Sequence, residues 1–216
     1  MPREAGAAII VRDGAGGLEV LLGRRTDHAR FLPGFWVFPG GRVERTDDPG
    51  DGRWRAAAVR EAREEVGLGL EPASLVPFDR WCTPAGMPIR FDTAFFLAPA
   101  PVGAVPVVDG AEIIASRWVA PRTLLAEAEA GAEATMRVLT FPTLEQVRRL
   151  ARSRSVAEAV AACPSDGLPE RPSETAVEVV DGRPTMLVVD ADGVPRRFWS
   201  GPVRPGEQAH GWTPPA

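Results

Sequence analysis

The stretch "REAREEVG", residues 60–67, places three glutamates on one predicted helical face. Successive residues advance about 100° around a helix, so Glu61, Glu64 and Glu65 fall within about a third of its circumference. Like charges at this spacing weaken a helix by roughly 0.2 to 0.5 kcal/mol per pair, so the pattern requires an explanation. The helix is predicted from about residue 54 to residue 66, and Gly67 suits the left-handed position that ends it.

An apolar stripe of Val59, Ala62 and Val66 is predicted on another side of the same helix. The acidic face and the packing face are therefore expected to be largely separate, with the carboxylates directed towards a cleft. A charged face in contact with water, stabilised by an Arg60–Glu64 pair, is the commoner explanation for such a helix taken alone.

The segment before the helix favours a metal site over a plain charged face. The turn "FPGG", residues 38–41, contains glycines that allow close backbone approach, and a polar loop over 45–52 offers Asp51 as a helix cap. Magnesium is usually held by a few carboxylates, a carbonyl and waters, and it takes further ligands from substrate phosphates. The turn and the glutamates together supply such oxygen donors.

Composition excludes several other chemistries. The chain of 216 residues is 44% apolar and 25% charged, which is typical of a soluble globular domain with an appendage. It has no lysine, so a Walker-type phosphate loop and a Schiff-base lysine are excluded. The net charge of -4 argues against an extended nucleic-acid surface.

The sequence also predicts a cytoplasmic location. No apolar run is long enough to span a bilayer, and the N-terminal residues do not resemble a signal peptide. Cys82 and Cys163 lack metal-ligand spacing and are expected to be free thiols in a reducing compartment.

Periodicity and turn residues predict a mixed sheet covered by helices, the α+β class. Predicted strands are residues 6–12, 18–24, the short stretch "WVFPGG", 90–99 and 112–121. Predicted helices after the first are residues 121–130, 143–153 and 155–163. A Pro-rich linker over 164–174 precedes a predicted strand-turn-strand over 176–193, and the proline-containing tail is expected to be poorly ordered.

The glycine turn and the acidic helix resemble the Nudix box, the signature of the Nudix hydrolase superfamily. Gly41 matches its leading glycine, and its distal half is matched without a gap by Arg60, Glu61, Glu64, Glu65, Gly67 and Leu68. Eighteen residues separate Gly41 from Arg60, which is longer than usual, and Asp47 stands at the place of the first glutamate. The resemblance implies a Nudix-type α/β/α sandwich over residues 1–135, with a helical and strand-containing C-terminal extension over 136–216.

An upstream pattern is similar to that of Nudix enzymes that cleave coenzyme A. The residues that match it are Leu21, Leu22, Arg25, Arg30, Gly34, Phe38, Pro39, Gly40 and Gly41. The stretch "RFDTAFFLA" and the lengthened box resemble the peroxisomal coenzyme A diphosphatase branch and its bacterial relatives. Coenzyme A or acyl-coenzyme A is therefore the favoured substrate.

The resemblance assigns Glu61, Glu64 and Glu65 to Mg²⁺, with Mn²⁺ as an alternative, and the carbonyl of Gly40 or Gly41 as a backbone ligand. Arg60 is expected to orient one of the glutamates. Glu112 is the candidate for a further metal ligand or general base, with a surface strand-end glutamate as an equal alternative, and Asp92 is a weaker candidate.

Four residues are predicted to bind substrate: Arg25, Arg30, Gly34 and Phe38. The two arginines are candidates to hold the 3'-phosphate or diphosphate, and an ordinary surface role is equally open for each. For Phe35 and Trp36, core packing is favoured over stacking on adenine. His28 has no partner in the sequence that would define a role.

Two alternatives stay open. One is a Nudix hydrolase of ADP-ribose, dinucleotides or nucleoside triphosphates. The other is a non-catalytic Nudix-fold module that binds a nucleotide, although three repelling carboxylates speak against it. The partner is expected to be a small nucleotide, without nucleic acid or membrane, and a homodimer is left open.

Overall fold

A computed structural model describes most of the chain. The described residues are 1–47, 50, 52–83, 89–129, 139–170, 172–180, 183–189, 195–199 and 212–213, of which 128–129 and those from 174 onward are described by their backbone alone. The strands are β1 Arg3–Gly14, β2 Gly17–Arg25, β3 Trp36–Val37, β4 Gly40–Arg42, β5 Val76–Cys82, β6 Phe91–Pro99, β7 Ile113–Val119, β8 Ser173–Val180, β9 Arg183–Val189, β10 Pro195–Trp199 and β11 Trp212–Thr213. The helices are α1 Arg53–Val66, α2 Pro121–Glu129, α3 Phe141–Leu150 and α4 Val156–Ala161, with a short 3₁₀ turn at Pro72–Ser74.

The sheet is mixed, as predicted. The strand order is β11-β10-β9-β8-β5-β6-β1-β2-β3, while β4 pairs with β1 and β7 pairs with β2. Strands β1 and β6 are parallel, and β1 is antiparallel to both β2 and β4. Strand β4 therefore brings the glycine turn against the middle of the sheet.

Two hydrophobic cores lie on opposite faces of the sheet. Side chains of β1 alternate between them, so Ile9 belongs to one core and Ile10 to the other. Helix α1 contributes Ala58, Ala62 and Val66 to the core that contains Ile10. Helix α3 covers the other face with Phe141, Leu144, Val147 and Leu150. The layers form an α/β/α sandwich, which confirms the predicted fold class.

Most predicted elements are confirmed with small shifts of their ends. Helix α1 begins one residue earlier than predicted and ends at Val66, and Gly67 adopts φ 67°, the left-handed conformation that the sequence indicates. The predicted strand-turn-strand corresponds to β8 and β9. Asp51 and most of the proline-containing tail lie outside the described residues, and Gly52 is the residue that precedes the helix.

The sequence analysis missed β5. Pro77 interrupts the strand pattern and Asp79 is a buried polar residue, so neither alternation nor composition indicated a strand. The register of β5 against β6 shifts between Pro77 and Asp79. A bulge of this kind accommodates a proline that cannot donate to the ladder.

The predicted separation of the acidic and packing faces of α1 is wrong at Glu65. Its residue exposure is 3%, as low as that of the apolar core, whereas Val59 is only partly buried. Glu65 lies at about 40° from Glu61 on the helix wheel, close to the stripe of Ala62 and Val66. The turn at Gly40 covers that border of the stripe.

Helices α3 and α4 pack against the core of the sandwich. Buried Asp79 of β5 accepts hydrogen bonds from Gln146 Nε2 at 2.9 Å and Trp81 Nε1 at 2.9 Å, and it pairs with Arg149 at 2.8 Å. The carboxylate of Asp13 accepts the backbone N–H of Val156 at 2.8 Å. The division of the chain at residues 135 and 136 stays a prediction.

Both cysteines are free thiols, as predicted. Among the described helices, none combines the length and apolarity that crossing a membrane requires.

Candidate active site

The carboxylate of Glu65 is held at the junction of α1 and β4. Its Oε2 accepts the backbone N–H of Gly40 at 2.9 Å. Burial raises the pKa of Glu65 to about 8, although the Gly40 hydrogen bond opposes the shift, and the charge of Glu61 adds to it. A cation beside this carboxylate would favour its charged form.

Gly41 lies directly against the carboxylate of Glu61. A Cβ at position 41 would come within 2.2 Å of Glu61 Oε1, so only glycine leaves room for the carboxylate there. Burial raises the pKa of Glu61, and the charges of Glu64 and Glu112 add to the rise while Arg60 opposes it. The structure therefore brings the glycine turn and two of the three glutamates together.

Arg60 holds the acidic cluster from one side. Its Nη1 donates to Glu61 Oε1 at 2.8 Å and to Glu64 Oε2 at 3.0 Å. Its Nε and Nη2 each lie 3.2 Å from an oxygen of Asp47. Burial acts to lower the pKa of Arg60, but these hydrogen bonds outweigh burial and raise it. Asp47, whose role the lengthened box left in doubt, is buried and fixes Arg60.

Glu112 approaches the cluster from the loop before β7. Its Oε2 lies 3.7 Å from Arg25 Nη2, and its charge acts on both Glu61 and Glu65. The side chain is 67% exposed, so it can reach solvent. The structure thus brings Glu112 near Arg25, Glu61 and Glu65, while Glu64, at 59% exposure, pairs with Arg60.

Asp109 fixes the loop that carries Glu112. Its carboxylate accepts the backbone N–H groups of Glu112 and Ile113, each at 2.8 Å, and these bonds lower the pKa of Asp109 despite the opposing effect of burial. Its own N–H donates to the Glu65 carbonyl at 3.2 Å. Asp109 therefore joins the end of α1 to the loop of Glu112.

Arg25 lies between two of these carboxylates. Its Nη1 is 3.9 Å from Glu65 Oε1, its Nη2 is 3.7 Å from Glu112 Oε2, and its Nε donates to the Phe31 carbonyl at 3.1 Å. The side chain is 18% exposed. Arg25 is thus part of the acidic site as well as of the loop that follows β2.

The other predicted substrate residues belong to or flank the loop over 26–35. Arg30 is exposed, and Gly34 has φ 73°, which favours glycine. Leu32 also has a positive φ, 53°, which is strained for a bulky residue. Phe38 is 4% exposed and packs edge-on against Phe95 in the core, so it supports the turn from below.

The remaining candidates from the sequence are Asp92, Trp36 and His28. Asp92 forms a two-pronged pair with Arg80, at 2.9 and 2.7 Å, which gives it a structural role. Trp36 packs against the core, as the sequence favoured, and Arg117 stacks over its ring at 5.0 Å. His28 is exposed.

The donors present fit a hard divalent cation. Within the described ranges, no three histidine, cysteine, aspartate or glutamate side chains are arranged as a ready-made metal cage. The oxygen chemistry nevertheless suits Mg²⁺, because the buried carboxylate of Glu65 lies 3.9 Å from the Arg25 guanidinium without a closer ion pair in the described residues. Gly41 also leaves the space that the Glu61 carboxylate occupies.

Comparison with known proteins agrees with this geometry. A family model described as the NUDIX domain matches residues 2–139, more than half of the chain. The chain belongs to the Nudix family. A curated Caenorhabditis elegans relative named "Putative nudix hydrolase 7" is 29% identical. The match covers 62% of this chain and 56% of that relative, so a large part of the relative has no counterpart in the match.

Solved Nudix structures share the fold. A NUDIX hydrolase from Alicyclobacillus acidocaldarius superposes with a TM-score of 0.65 at 26% identity, covering 74% of this chain and 96% of its own. The NUDIX domain of Shewanella oneidensis NrtR, solved with ADP ribose, has a TM-score of 0.54 at 17% identity and covers 70% and 87% of the two chains. The second likeness concerns the fold alone.

Sequence reasoning missed Asp109, and it named Arg25 without its contacts to the carboxylates. Asp109 precedes a glycine and lies three residues before Glu112, so the Asp-Gly turn signal could have indicated its role. The contacts of Arg25 with Glu65 and Glu112 join residues 40 or more positions apart, and no local pattern indicates them.

Proposed function

We propose that this protein is a divalent-cation-dependent hydrolase that cleaves the diphosphate of a nucleoside-diphosphate-linked substrate, with coenzyme A or acyl-coenzyme A favoured. The observation that carries the proposal is the contact of Glu65 and Glu61 with the Gly40–Gly41 turn, with the charge of Glu112 acting on both carboxylates. Such a cluster is unfavourable without a cation, because each buried carboxylate raises the cost of ionising the next.

In this proposal Glu61, Glu64 and Glu65 hold Mg²⁺, or Mn²⁺, with a carbonyl of Gly40 or Gly41 as a backbone ligand. The ion, when bound, neutralises charge on the diphosphate and acidifies a water molecule. Arg60 keeps Glu61 and Glu64 in place through its paired hydrogen bonds. Glu112 has the exposure that a metal ligand or a proton acceptor at the cleft requires.

The coenzyme A preference is supported by the upstream pattern and by the loop over 26–35. Exposed Arg30 is available to a phosphate, and guanidinium groups bind phosphate oxygens in pairs. Gly34 shapes the loop through its positive φ, and Phe38 supports the turn from the core. The cytoplasmic location stays a prediction from the sequence.

The experiment is a substrate panel with Mg²⁺ and product identification. Coenzyme A, acyl-coenzyme A, ADP-ribose, dinucleotides and nucleoside triphosphates are incubated with wild type, Glu65→Gln and, as a matched control, Glu71→Gln at an exposed position. We expect adenosine 3',5'-bisphosphate and a phosphopantetheine from coenzyme A, a loss of about 100-fold or more in Glu65→Gln, and no loss in Glu71→Gln.

Two outcomes would change the proposal in different ways. Faster turnover of ADP-ribose, dinucleotides or triphosphates would keep the hydrolase and replace the substrate. Tight nucleotide binding without turnover of any substrate would favour the non-catalytic module.

A further inference from the structure

Arg25 occupies a position that substrate binding alone does not explain. Its side chain is 18% exposed, and its two terminal nitrogens face different acidic residues, Glu65 at 3.9 Å and Glu112 at 3.7 Å. The side chain of Glu65 is 4% exposed, so Arg25 faces one buried carboxylate and one exposed carboxylate. Binding of a substrate phosphate alone does not explain why two carboxylates lie next to this guanidinium.

We propose that Arg25 is the resident counter-cation of the acidic site and competes with a divalent cation for Glu65 and Glu112. This inference rests on the proposed function, because the same carboxylates are the proposed metal ligands. Two positive charges a few ångströms apart in a partly buried site repel each other more strongly than in water, so Arg25 and the divalent cation each weaken the binding of the other.

The other contacts of Arg25 connect this competition to the loop over 26–35. Its Nε donates to the Phe31 carbonyl at 3.1 Å, and its backbone N–H donates to the Phe35 carbonyl at 2.8 Å. The next residue, Thr26, donates its N–H to the carbonyl of Glu112 at 2.9 Å. The loop that carries Arg30 is therefore fastened to the acidic site through Arg25 and its neighbour.

The same loop contains a backbone conformation that is uncommon for residues other than glycine. Leu32, next to Phe31, is the non-glycine residue with a positive φ in the described part of the chain. Strained residues of this kind persist where surrounding contacts hold them. When Arg25 gives up the carboxylates, its guanidinium is free to bind a phosphate oxygen of a substrate.

The first test measures Mg²⁺ binding by calorimetry without substrate. Arg25→Met removes the charge and keeps much of the side-chain length, Arg25→Lys keeps the charge, and Arg12→Met is the matched control. Arg12 pairs with Glu19 at 2.7 Å, near the other end of β2. We expect Arg25→Met to bind Mg²⁺ about tenfold more tightly than wild type, and Arg25→Lys and Arg12→Met to bind like wild type.

Unchanged or weaker Mg²⁺ binding in Arg25→Met would overturn the inference while leaving the proposed function in place. Equal tightening in Arg12→Met would also overturn it, because net charge alone would then explain the effect. Absence of Mg²⁺ binding in all four proteins would overturn the proposed function and the inference with it.

A second test examines the ion pair without any metal. Melting temperatures are measured in EDTA at mildly alkaline pH for wild type, Arg25→Met, Glu65→Gln and the double variant. Arg25→Met removes the hydrogen bond to the Phe31 carbonyl both in wild type and in Glu65→Gln, so the effect of that bond cancels when the two falls in melting temperature are compared. We expect Arg25→Met to lower the melting temperature more in wild type than in Glu65→Gln, and equal falls would show that Arg25 does not neutralise Glu65.

Discussion

Glu65 carries a carboxylate in a position that opposes its ionisation in two ways. It is buried at 3% exposure, and it lies in the last turn of α1, where the helix dipole disfavours negative charge. The Gly40 N–H and the distant Arg25 compensate only in part, since the pKa of Glu65 still rises to about 8. A buried carboxylate with a raised pKa contributes little as a structural contact, and it is typical of a functional site such as a metal site.

The raised pKa of Glu65 predicts a pH dependence of stability in the chelated protein. The folded-state pKa of about 8 exceeds the ordinary value of 4.5, so the folded state binds the proton more tightly than the unfolded state does. Its contribution to stability is complete below the ordinary value and is lost as pH rises through about 8. In EDTA, the melting temperature of wild type should therefore fall relative to that of Glu65→Gln as pH rises over this window. A difference in melting temperature between wild type and Glu65→Gln that stays constant with pH would contradict the raised pKa of Glu65.

Asp109 is a positioning residue for Glu112. Replacing it with alanine removes the acceptor for two backbone N–H groups and releases the loop, so we expect kcat to fall about tenfold with KM little changed. Asp109→Asn keeps only one of the two acceptor oxygens and turns an NH₂ group towards the other backbone N–H, so it should restore the rate only in part. If both variants lose the same activity, or if KM alone changes, Asp109 does not act through Glu112.

At the scale of elements, the site depends on how closely β4 approaches α1. Gly40 leaves no room for a Cβ, which would lie 2.6 Å from the Gly6 carbonyl oxygen, and Gly41 leaves none beside Glu61. The pairing of Gly40 with Ala7 and Gly41 with Gly6 fixes this approach in the sheet. The turn and the helix therefore act as one unit.

Gly41→Ala should separate the glycine turn from the carboxylate of Glu61 on α1. The added methyl group would meet Glu61 Oε1 at 2.2 Å, so the carboxylate must move, and we expect Mg²⁺ binding to weaken by about tenfold or more. Gly69→Ala is the matched control, because a Cβ there meets no atom within 4 Å. Calorimetry that finds equal Mg²⁺ binding in both variants would show that the Gly41–Glu61 contact is not part of the metal site.

The sequence predicted α1, its left-handed end and the glycine turn because each depends on residues close together in the chain. It also predicted the acidic cluster, since a helix wheel depends only on spacing. It did not predict β5, where Pro77 and Asp79 break the strand pattern, or the burial of Glu65, which depends on the distant turn at Gly40. Contacts of Arg25 with Glu65 and Glu112 are likewise set by the tertiary fold.

At the scale of the whole molecule, the two faces of the sheet have separate tasks. One face carries α1 and the acidic site, and the other is closed by α3 through Asp79, Gln146 and Arg149. The Oε1 atom of Gln146 is buried without a hydrogen-bond partner among the described residues. The unpaired Oε1 destabilises the folded state, and the hydrogen bond from Nε2 to Asp79 offsets part of this effect.

Asp79→Ala should therefore destabilise the protein without changing its chemistry. Removing the carboxylate leaves Arg149, Gln146 and Trp81 without their acceptor, and breaking a buried network of this kind costs about 3 kcal/mol. We expect a clear fall in melting temperature, with Mg²⁺ binding per folded molecule retained and exposed Asp166→Ala unchanged. A loss of Mg²⁺ binding at temperatures where Asp79→Ala is folded would mean that the two faces are coupled.

The proposed function requires that the acidic end of α1 and the glycine turn hold a divalent cation. An anomalous difference map from a crystal of the protein soaked in Mn²⁺ would test this. We expect a peak coordinated by Glu61 and Glu65, next to the Gly40–Gly41 turn, that is absent in Glu65→Gln. A well-ordered site without a peak, or a peak bound only by exposed residues elsewhere, would contradict it.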